Sequence, residues 1–141
     1  MTDRDGPYIG FAVICEKALQ ETDGVLSLIR IIDRITITAR GPDAPDNLPM
    51  NRLDFFVAIS LRSGKARGRH TLRVNLEMPS GEFVQGQDTP VHLEGEDRGI
   101  NVVAPTAVQA NQEGLYWFHV LLNRNQLLTK IPLRVQYAPI R

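Results

Sequence analysis

The chain has 141 residues, 43% of them hydrophobic, and a formal net charge of zero from 16 basic and 16 acidic side chains. These values fit one folded domain, residues 1–141, and exclude the disordered and membrane classes. Balanced charge also argues against a general attraction to nucleic acid or membranes. The polar segment 1–7 predicts a flexible N-terminus without a secretory signal, so we expect a cytoplasmic protein.

The N-terminal third has mixed signals. Residues 8–15 form an apolar run suited to a β-strand, and residues 16–22 favour a short helix. The β-branched segment 25–39 predicts a long strand, but its apolar positions change phase near Ile31. One extra residue resets the alternation of a strand, so we interpret the change as a β-bulge.

Strict alternation of apolar and polar residues is clearest in the middle of the chain, over residues 53–62 and 69–78. Alternation with a period of two is typical of strands that bury one face. The glycine-bearing segment 63–68 between them therefore predicts a β-hairpin. A turn at 79–81 and a short strand near Phe83 follow.

The last third predicts another strand within 100–103 and then a second hairpin. Its strands are residues 115–122 and 127–137, and its turn is 123–126, where asparagines tolerate a positive φ. The core face of the final strand is predicted to begin at Leu127. Pro132 cannot donate to a ladder, which places this strand at an edge or in a bulge.

Two parts of the chain carry a family resemblance. The first reads AVICE at 12–16 and DGVLSLIRIIDRI at 23–35; the second reads GLYWF at 114–118, LL at 127–128 and PLRV at 132–135. In these segments the chain resembles a family of uncharacterised bacterial proteins, classed as a domain of unknown function. The resemblance spans most of the chain and implies no known catalytic or binding residue.

The pattern Gly114-x-Tyr116-x-Phe118 is similar to the penultimate strand of immunoglobulin-like domains. There the tyrosine makes a corner hydrogen bond, and Phe118 stands where a cysteine is common. Cys15 is the only cysteine, so an intrachain disulfide is excluded. With seven to nine predicted strands, the fold class is all-β, an antiparallel two-sheet β-sandwich that is immunoglobulin-like in broad shape.

Motifs for catalysis or for a cofactor are missing from the sequence. Cys15 follows four apolar residues and is expected to be a small buried hydrophobe. The three histidines lack the spacing of a metal site, the acidic run at 94–97 lacks that of a calcium loop, and no phosphate-binding glycine motif is present. We therefore expect no cofactor and no enzyme, although a site assembled from separate loops would leave no local motif.

An outward apolar face is the leading functional candidate. If Tyr116 and Phe118 point inward, the alternate residues of that strand point outward, and by analogy with immunoglobulin-like sandwiches the strand with Phe56 joins the same sheet. The predicted interface comprises Phe56, Leu115, Trp117, His119, Leu121, Leu128 and Pro132. Apolar patches mark interaction sites, so the expected partner is a second copy of the chain or another protein.

A basic cluster on the first predicted hairpin offers an alternative. It comprises Arg62, Lys65, Arg67, Arg69 and Arg73, with no acid between residues 55 and 76. Such cations could bind nucleic acid or a phosphate ligand. No aromatic residue accompanies them to stack on bases, so charges that protect a sheet edge remain the simpler interpretation.

Overall fold

The computed structural model describes residues 5–141, which form ten β-strands and no α-helix. The strands are β1 (Tyr8–Gln20), β2 (Leu26–Ile32), β3 (Arg34–Arg40), β4 (Asn51–Arg62), β5 (Arg67–Glu77), β6 (Phe83–Val84), β7 (Thr89–Glu94), β8 (Gly99–Ala110), β9 (Gly114–Leu122) and β10 (Gln126–Ile140). Of the predicted flexible N-terminus, residues 1–4 lie outside this range. The Asp5 carbonyl accepts a hydrogen bond from the Lys65 amide at 3.3 Å.

Two sheets make up the fold, as predicted for a β-sandwich. Sheet A has four strands in the order β2-β1-β4-β8. Sheet B has the order β3-β10-β9-β5-β6, and β7 also pairs with β5. The ten strands exceed the predicted seven to nine, and one pair, β3 with β10, is parallel where an antiparallel sandwich was expected.

The core lies between the sheets and is built mainly from alternate residues of strands such as β4, β9 and β10. The rings of Phe55 on β4 and Phe118 on β9 meet edge to face, with centroids 5.6 Å apart and planes at 86°. Aromatic pairs prefer this arrangement and add to the stabilisation from burial. Phe118, at the position of the immunoglobulin cysteine, therefore joins the two sheets by packing.

The predicted hairpin between residues 53–62 and 69–78 is wrong. β4 pairs with β1 and β8, whereas β5 pairs with β6, β7 and β9, so the connection crosses from sheet A to sheet B. Ser63 is fully buried in this connection, and its hydroxyl donates to the Gly95 carbonyl at 2.9 Å. Alternation indicates which face of a strand is buried but does not identify the partner strand.

Two N-terminal predictions also fail. Residues 16–20 continue β1 instead of forming a helix, because they pair with β2. The long segment 25–39 divides at Asp33 into β2 of sheet A and β3 of sheet B. Its change of phase therefore comes from a crossing between sheets and not from a bulge.

The C-terminal hairpin is confirmed, with Asn123 at a φ of 52° in its turn. β3 pairs with β10 only from Arg134 onward, so Pro132 faces a free edge, as predicted. The pairing of β9 with β10 shifts register between Leu127 and Thr129. Leu127 is consequently exposed, which corrects its predicted place in the core.

The corner predicted for Tyr116 is present. Its side chain is buried, and its hydroxyl donates to the Gln112 carbonyl at 2.8 Å. Burial raises the pKa of the phenol, so the hydroxyl remains a donor. This bond stabilises the start of β9 and thereby fixes which side chains of β9 face outward.

Candidate interaction surfaces

The predicted interface does not exist as one surface. Phe56 lies on β4 of sheet A, between Cys15 and Pro105 on the neighbouring strands. Trp117 lies on β9 of sheet B, between Pro132 and Glu77. Because the two sheets pack face to face through the core, the side chains of Phe56 and Trp117 point to opposite outer surfaces. The analogy that put β4 beside β9 was wrong.

The outer face of sheet B carries most of the other predicted residues. Leu115, Trp117, His119 and Leu121 alternate with the buried side chains of β9, and each is half-buried; Pro132 is exposed beside Trp117. Leu128 is a correction: the register shift in β10 turns it toward the core, where it packs against buried residues.

Charged side chains cover much of this face. Lys130 Nζ lies 5.4 Å from the centre of the Trp117 ring. His119 Nε2 lies 2.9 Å from Glu77 Oε1, and the His119 and Phe83 rings contact each other in a tilted arrangement, with centroids 5.3 Å apart. The apolar residues are therefore partly covered within the same molecule, and the face is a mixed surface instead of an apolar one.

The predicted basic cluster is likewise dispersed. Arg62 ends β4 of sheet A, whereas Arg67, Arg69 and Arg73 lie on β5 of sheet B, and Lys65 lies in the connection between the sheets. Acidic residues that are distant in sequence from these arginines come close to them in space. Arg67 lies 3.8 Å from Glu96.

Arg73 is held most firmly. Its Nε donates to Asp88 at 2.9 Å, and Arg124 Nε donates to the same carboxylate at 2.7 Å. The hydrogen bonds from Arg124 and Arg73 lower the pKa of Asp88. The cluster consequently offers less free positive charge than the sequence indicated.

The outer face of sheet A was missed by the sequence analysis. Strand pairing places these side chains together on it: Phe11, Val13, Cys15, Ile29, Ile31, Phe56, Ala58, Val103 and Pro105. Ile31 is 61% exposed, Ile29 41% and Phe11 39%. None of the nine is charged. At one end the surface is bordered by Lys17 and by the ion pair of Arg52 with Asp54 at 3.0 Å.

Cys15 lies in the middle of this surface yet is fully buried, as its apolar sequence context predicted. Its side chain is small and lies between the larger side chains of Ile31 and Phe56 on the two neighbouring strands, which explains its burial. Burial raises the pKa of the thiol, which keeps it protonated at neutral pH and a weak nucleophile.

The surface continues onto a projecting arm made of β1 and β2. Pairing of β1 with β4 ends at Cys15, so residues 17–20 pair only with β2. In β2, the edge strand of sheet A, Arg30 has a φ of 58° and its Nε donates to Glu16 of β1 at 2.7 Å. Such a distortion and charge protect an edge strand against pairing, which leaves the face of the arm as its accessible part.

A signal for this surface was present in the sequence. The run at 11–15 is apolar at both odd and even positions, and β2 carries isoleucine at 29, 31 and 32, interrupted by Arg30. A strand that is apolar on both sides is either buried on both sides or carries an exposed apolar face. The strand order of sheet A decides between these possibilities.

Residues 5–141 meet the requirements of neither a metal-binding cluster nor a membrane-spanning helix. Nowhere in this range do three His, Cys, Asp or Glu side chains come close enough to hold a metal ion. Within the same range, the chain contains no helix that is long and apolar enough to cross a membrane.

Solved structures of similar shape share little sequence with the chain. An alkylpurine DNA glycosylase, AlkC, of Pseudomonas fluorescens, solved with DNA containing an abasic-site analogue, has a TM-score of 0.48 and 8% identity over 89% of this chain, which spans 30% of that protein. A CARDB domain of Pyrococcus furiosus, in complex with di-metal ions, has a TM-score of 0.44 and 12% identity, covering 97% of each chain. An immunoglobulin-like protein of Pseudomonas aeruginosa has a TM-score of 0.40 and 15% identity over 96% of this chain and 100% of its own.

Sequence comparison identifies the family. No curated protein matches the chain. A family model matches residues 10–136, from β1 to β10, which is most of the two-sheet sandwich. The chain therefore belongs to a family of unknown function, DUF6941.

Proposed function

We propose that this protein is a non-enzymatic interaction module that associates with a second copy of itself through the outer face of sheet A. The observation that carries the proposal is the exposure of Ile31, Ile29 and Phe11 on one surface whose middle carries no charge, with Lys17 opposite Ile29 at its end. Complete burial of an isoleucine or phenylalanine side chain contributes about 1.5–3 kcal/mol. Several partly exposed side chains on one face therefore supply a substantial driving force for association.

The arrangement of charge supports a protein partner. Interfaces commonly have an apolar centre and a polar rim, with charged residues depleted at the centre. Here the centre is formed by Ile31, Phe56 and Pro105, and Lys17, Arg52 and Asp54 lie toward the rim. Nucleic acid or an acidic ligand would require cations at the centre.

A second copy is the favoured partner because the surface suits a two-fold interface. In such an interface each patch contacts the same patch of the other subunit. A neutral apolar centre does not repel its own copy. The rim carries both positive and negative charge, so a two-fold rotation can bring Lys17 of one copy close to Asp54 of the other. The zero net charge of the chain adds no long-range repulsion.

The state of the nucleophile and base candidates supports a non-enzymatic role. The Cys15 thiol is fully buried and its pKa is raised. His119 lies on the outer face of sheet B, in contact with Glu77 and Phe83, whereas Cys15 lies on sheet A. A pair of nucleophile and base within hydrogen-bond reach, which nucleophilic catalysis requires, is not formed by these two residues.

The test compares two substitutions that place a carboxylate at similarly exposed apolar positions. Ile31→Glu alters the outer face of sheet A, and Leu127→Glu, at a residue that is 50% exposed on sheet B, is the matched control. We expect the wild type and Leu127→Glu to form a defined dimer in sedimentation analysis. For Ile31→Glu we expect the dissociation constant of the dimer to increase at least about 100-fold, because a carboxylate at the interface must lose its hydration.

Circular dichroism and thermal melting would verify that both variants are folded. A wild type that stays monomeric at high protein concentration would overturn the proposal. Equal weakening by both substitutions would also overturn it. Absorbance at 260 nm distinguishes the alternative: a monomer that carries nucleic acid and releases it in salt would instead support binding through the arginines of β5.

A further inference from the structure

A cleft of about 510 Å³ opens between the two sheets, away from the face proposed for association. One wall is β8 from Val102 to Val108, and the other is the segment from Val84 to Thr89. Its floor consists of core side chains, among them Ile59, Leu72 and Phe118. All residues that line the cleft are uncharged, so it offers no counter-charge to an ionic ligand.

The second wall leaves the hydrogen-bond ladder of its own sheet but stays packed against β5. β7 pairs with β5 up to Leu72, and β6 pairs only with Leu76 and Glu77, so residues 85–88 leave the ladder. The Gly86 amide donates to Asn75 Oδ1 at 3.0 Å. A Cβ on Gly86 would lie 2.1 Å from the Val74 carbonyl oxygen, so only glycine allows this close approach. The wall is thus a fixed part of the fold.

The first wall is an unpaired strand edge. β8 is the last strand of sheet A, and its register with β4 is unbroken from Gly99 to Ala110. Pro105 has no N–H, so within this ladder its nitrogen must face away from β4. By the alternation of an antiparallel pair, Val103 and Ala107 also direct their N–H and C=O groups to the free edge.

This edge lacks most of the usual protection against pairing. Native edge strands are commonly protected by charged residues, by bulges or by proline. β8 contains neither a charged residue nor a register shift, and Pro105 is its only protective feature. The opposite edge of sheet A has both a charge and a backbone distortion at Arg30.

We infer that the cleft binds an extended, uncharged peptide segment of a partner, which pairs with the edge of β8 and inserts alternate apolar side chains between the sheets. Addition of a strand to a sheet edge is a common mode of peptide recognition. The inward side chains of β8, from Val102, Ala104 and Thr106, would line one side of the inserted residues.

The backbone of β8 favours a peptide over an apolar small molecule. An acyl chain in the cleft would remove the free N–H and C=O groups of Val103 and Ala107 from water without replacing their hydrogen bonds. Each group left unsatisfied in this way carries the full cost of its desolvation. An extended backbone supplies a donor and an acceptor at the required spacing, so it avoids this cost.

The probe for the test is a heptapeptide of alternating valine and threonine with blocked ends, titrated into the isotopically labelled full chain. We expect amide shifts at Val103 and Ala107 in NMR spectra and at least about tenfold slower hydrogen exchange there. The same peptide N-methylated at alternate residues should cause neither effect, because it cannot pair with the strand.

Two substitutions at one position separate edge pairing from folding. Ala107→Pro removes an N–H that faces the free edge, and we expect it to abolish peptide binding; Ala107→Ser keeps the N–H and should bind normally. The Ala107 side chain is exposed on the outer face and does not enter the core.

Three outcomes would overturn the inference. Equal binding of the N-methylated peptide would exclude backbone pairing. Shifts caused by dodecanol but not by the peptide would identify a site for small apolar molecules. The absence of any shift at Val103 and Ala107 up to the solubility limit of the heptapeptide would exclude strand addition at this edge.

Discussion

The outer faces of the two sheets both carry large apolar residues but differ in what lies beside them. On sheet B, Trp117 lies next to Lys130, and His119 contacts Glu77. On sheet A, Ile31 pairs with Cys15, which in turn pairs with Phe56, so one apolar residue borders another. Whether an outward apolar side chain is available to a partner therefore depends on its neighbours across the sheet.

The difference has a structural cause. The outward positions of β5 and β10, which flank β9, include Glu77 and Lys130, whereas those of β2, β1 and β4 are apolar in the middle of sheet A. Interactions between opposite residues on neighbouring strands contribute about 0.2–1 kcal/mol each. They stabilise the outer face of sheet B within the monomer, whereas in the middle of sheet A the opposite residues are apolar on both strands.

The largest expected effect tests whether the core, and not either outer face, joins the sheets. Phe118→Ala removes the ring that packs on Phe55, and we expect a loss of about 3–5 kcal/mol in the free energy of unfolding. Phe83→Ala is the matched control, because Phe83 is 56% exposed, and it should cost less than about 1 kcal/mol. Denaturant unfolding followed by circular dichroism measures both. Similar losses of stability for the two variants would contradict the conclusion that the core, and not an outer face, joins the sheets.

An intermediate effect tests the outer face of sheet B. Trp117→Arg places a cation beside Lys130 and removes a half-buried ring, so we expect a loss of about 1–2 kcal/mol in stability. Association should be unchanged in sedimentation analysis, since the proposed interface lies on sheet A. A folded Trp117→Arg variant that no longer associates would reverse the comparison between the two faces.

The smallest expected effect is a change of stability with pH that depends on Asp88. Hydrogen bonds from Arg124 and Arg73 hold the pKa of Asp88 below its ordinary value. A carboxyl whose pKa is depressed by folding stabilises the protein above its unfolded pKa, near 3.9, and loses that contribution as pH falls through the folded pKa. Asp88→Asn should therefore melt at a lower temperature than the wild type at pH 6, and the gap should narrow below about pH 4. Melting curves of both proteins between pH 6 and about pH 4 measure this difference in melting temperature. A difference that does not change with pH would contradict a stabilising role of the Asp88 carboxylate.

Local features of the fold were predictable from the sequence, because they depend on neighbouring residues. Alternation identified the buried faces of β4 and β9, and the corner of Tyr116 was predicted from three residues of one strand. The turn at Asn123 and the free edge at Pro132 follow from the chemistry of those two residues. Each of these features is determined within a short segment.

Predictions that required the partner of a strand failed. The wrong hairpin between β4 and β5 also misplaced Phe56 and grouped Arg62 with the arginines of β5. The acids that come close to those arginines, Asp88 and Glu96, are distant from them in sequence, so no local pattern could reveal them.

The sequence by itself determined that this chain forms a β-sandwich, which side chains of β4 and β9 face its core, and that Cys15 is unpaired, since alternation and composition act along the chain. Only the tertiary structure decided which strands share a sheet, and thus that the free apolar surface lies on sheet A and the open cleft beside β8. The physical reason is that both features require residues from several strands to lie side by side, and strand pairing over long sequence separations leaves no local pattern.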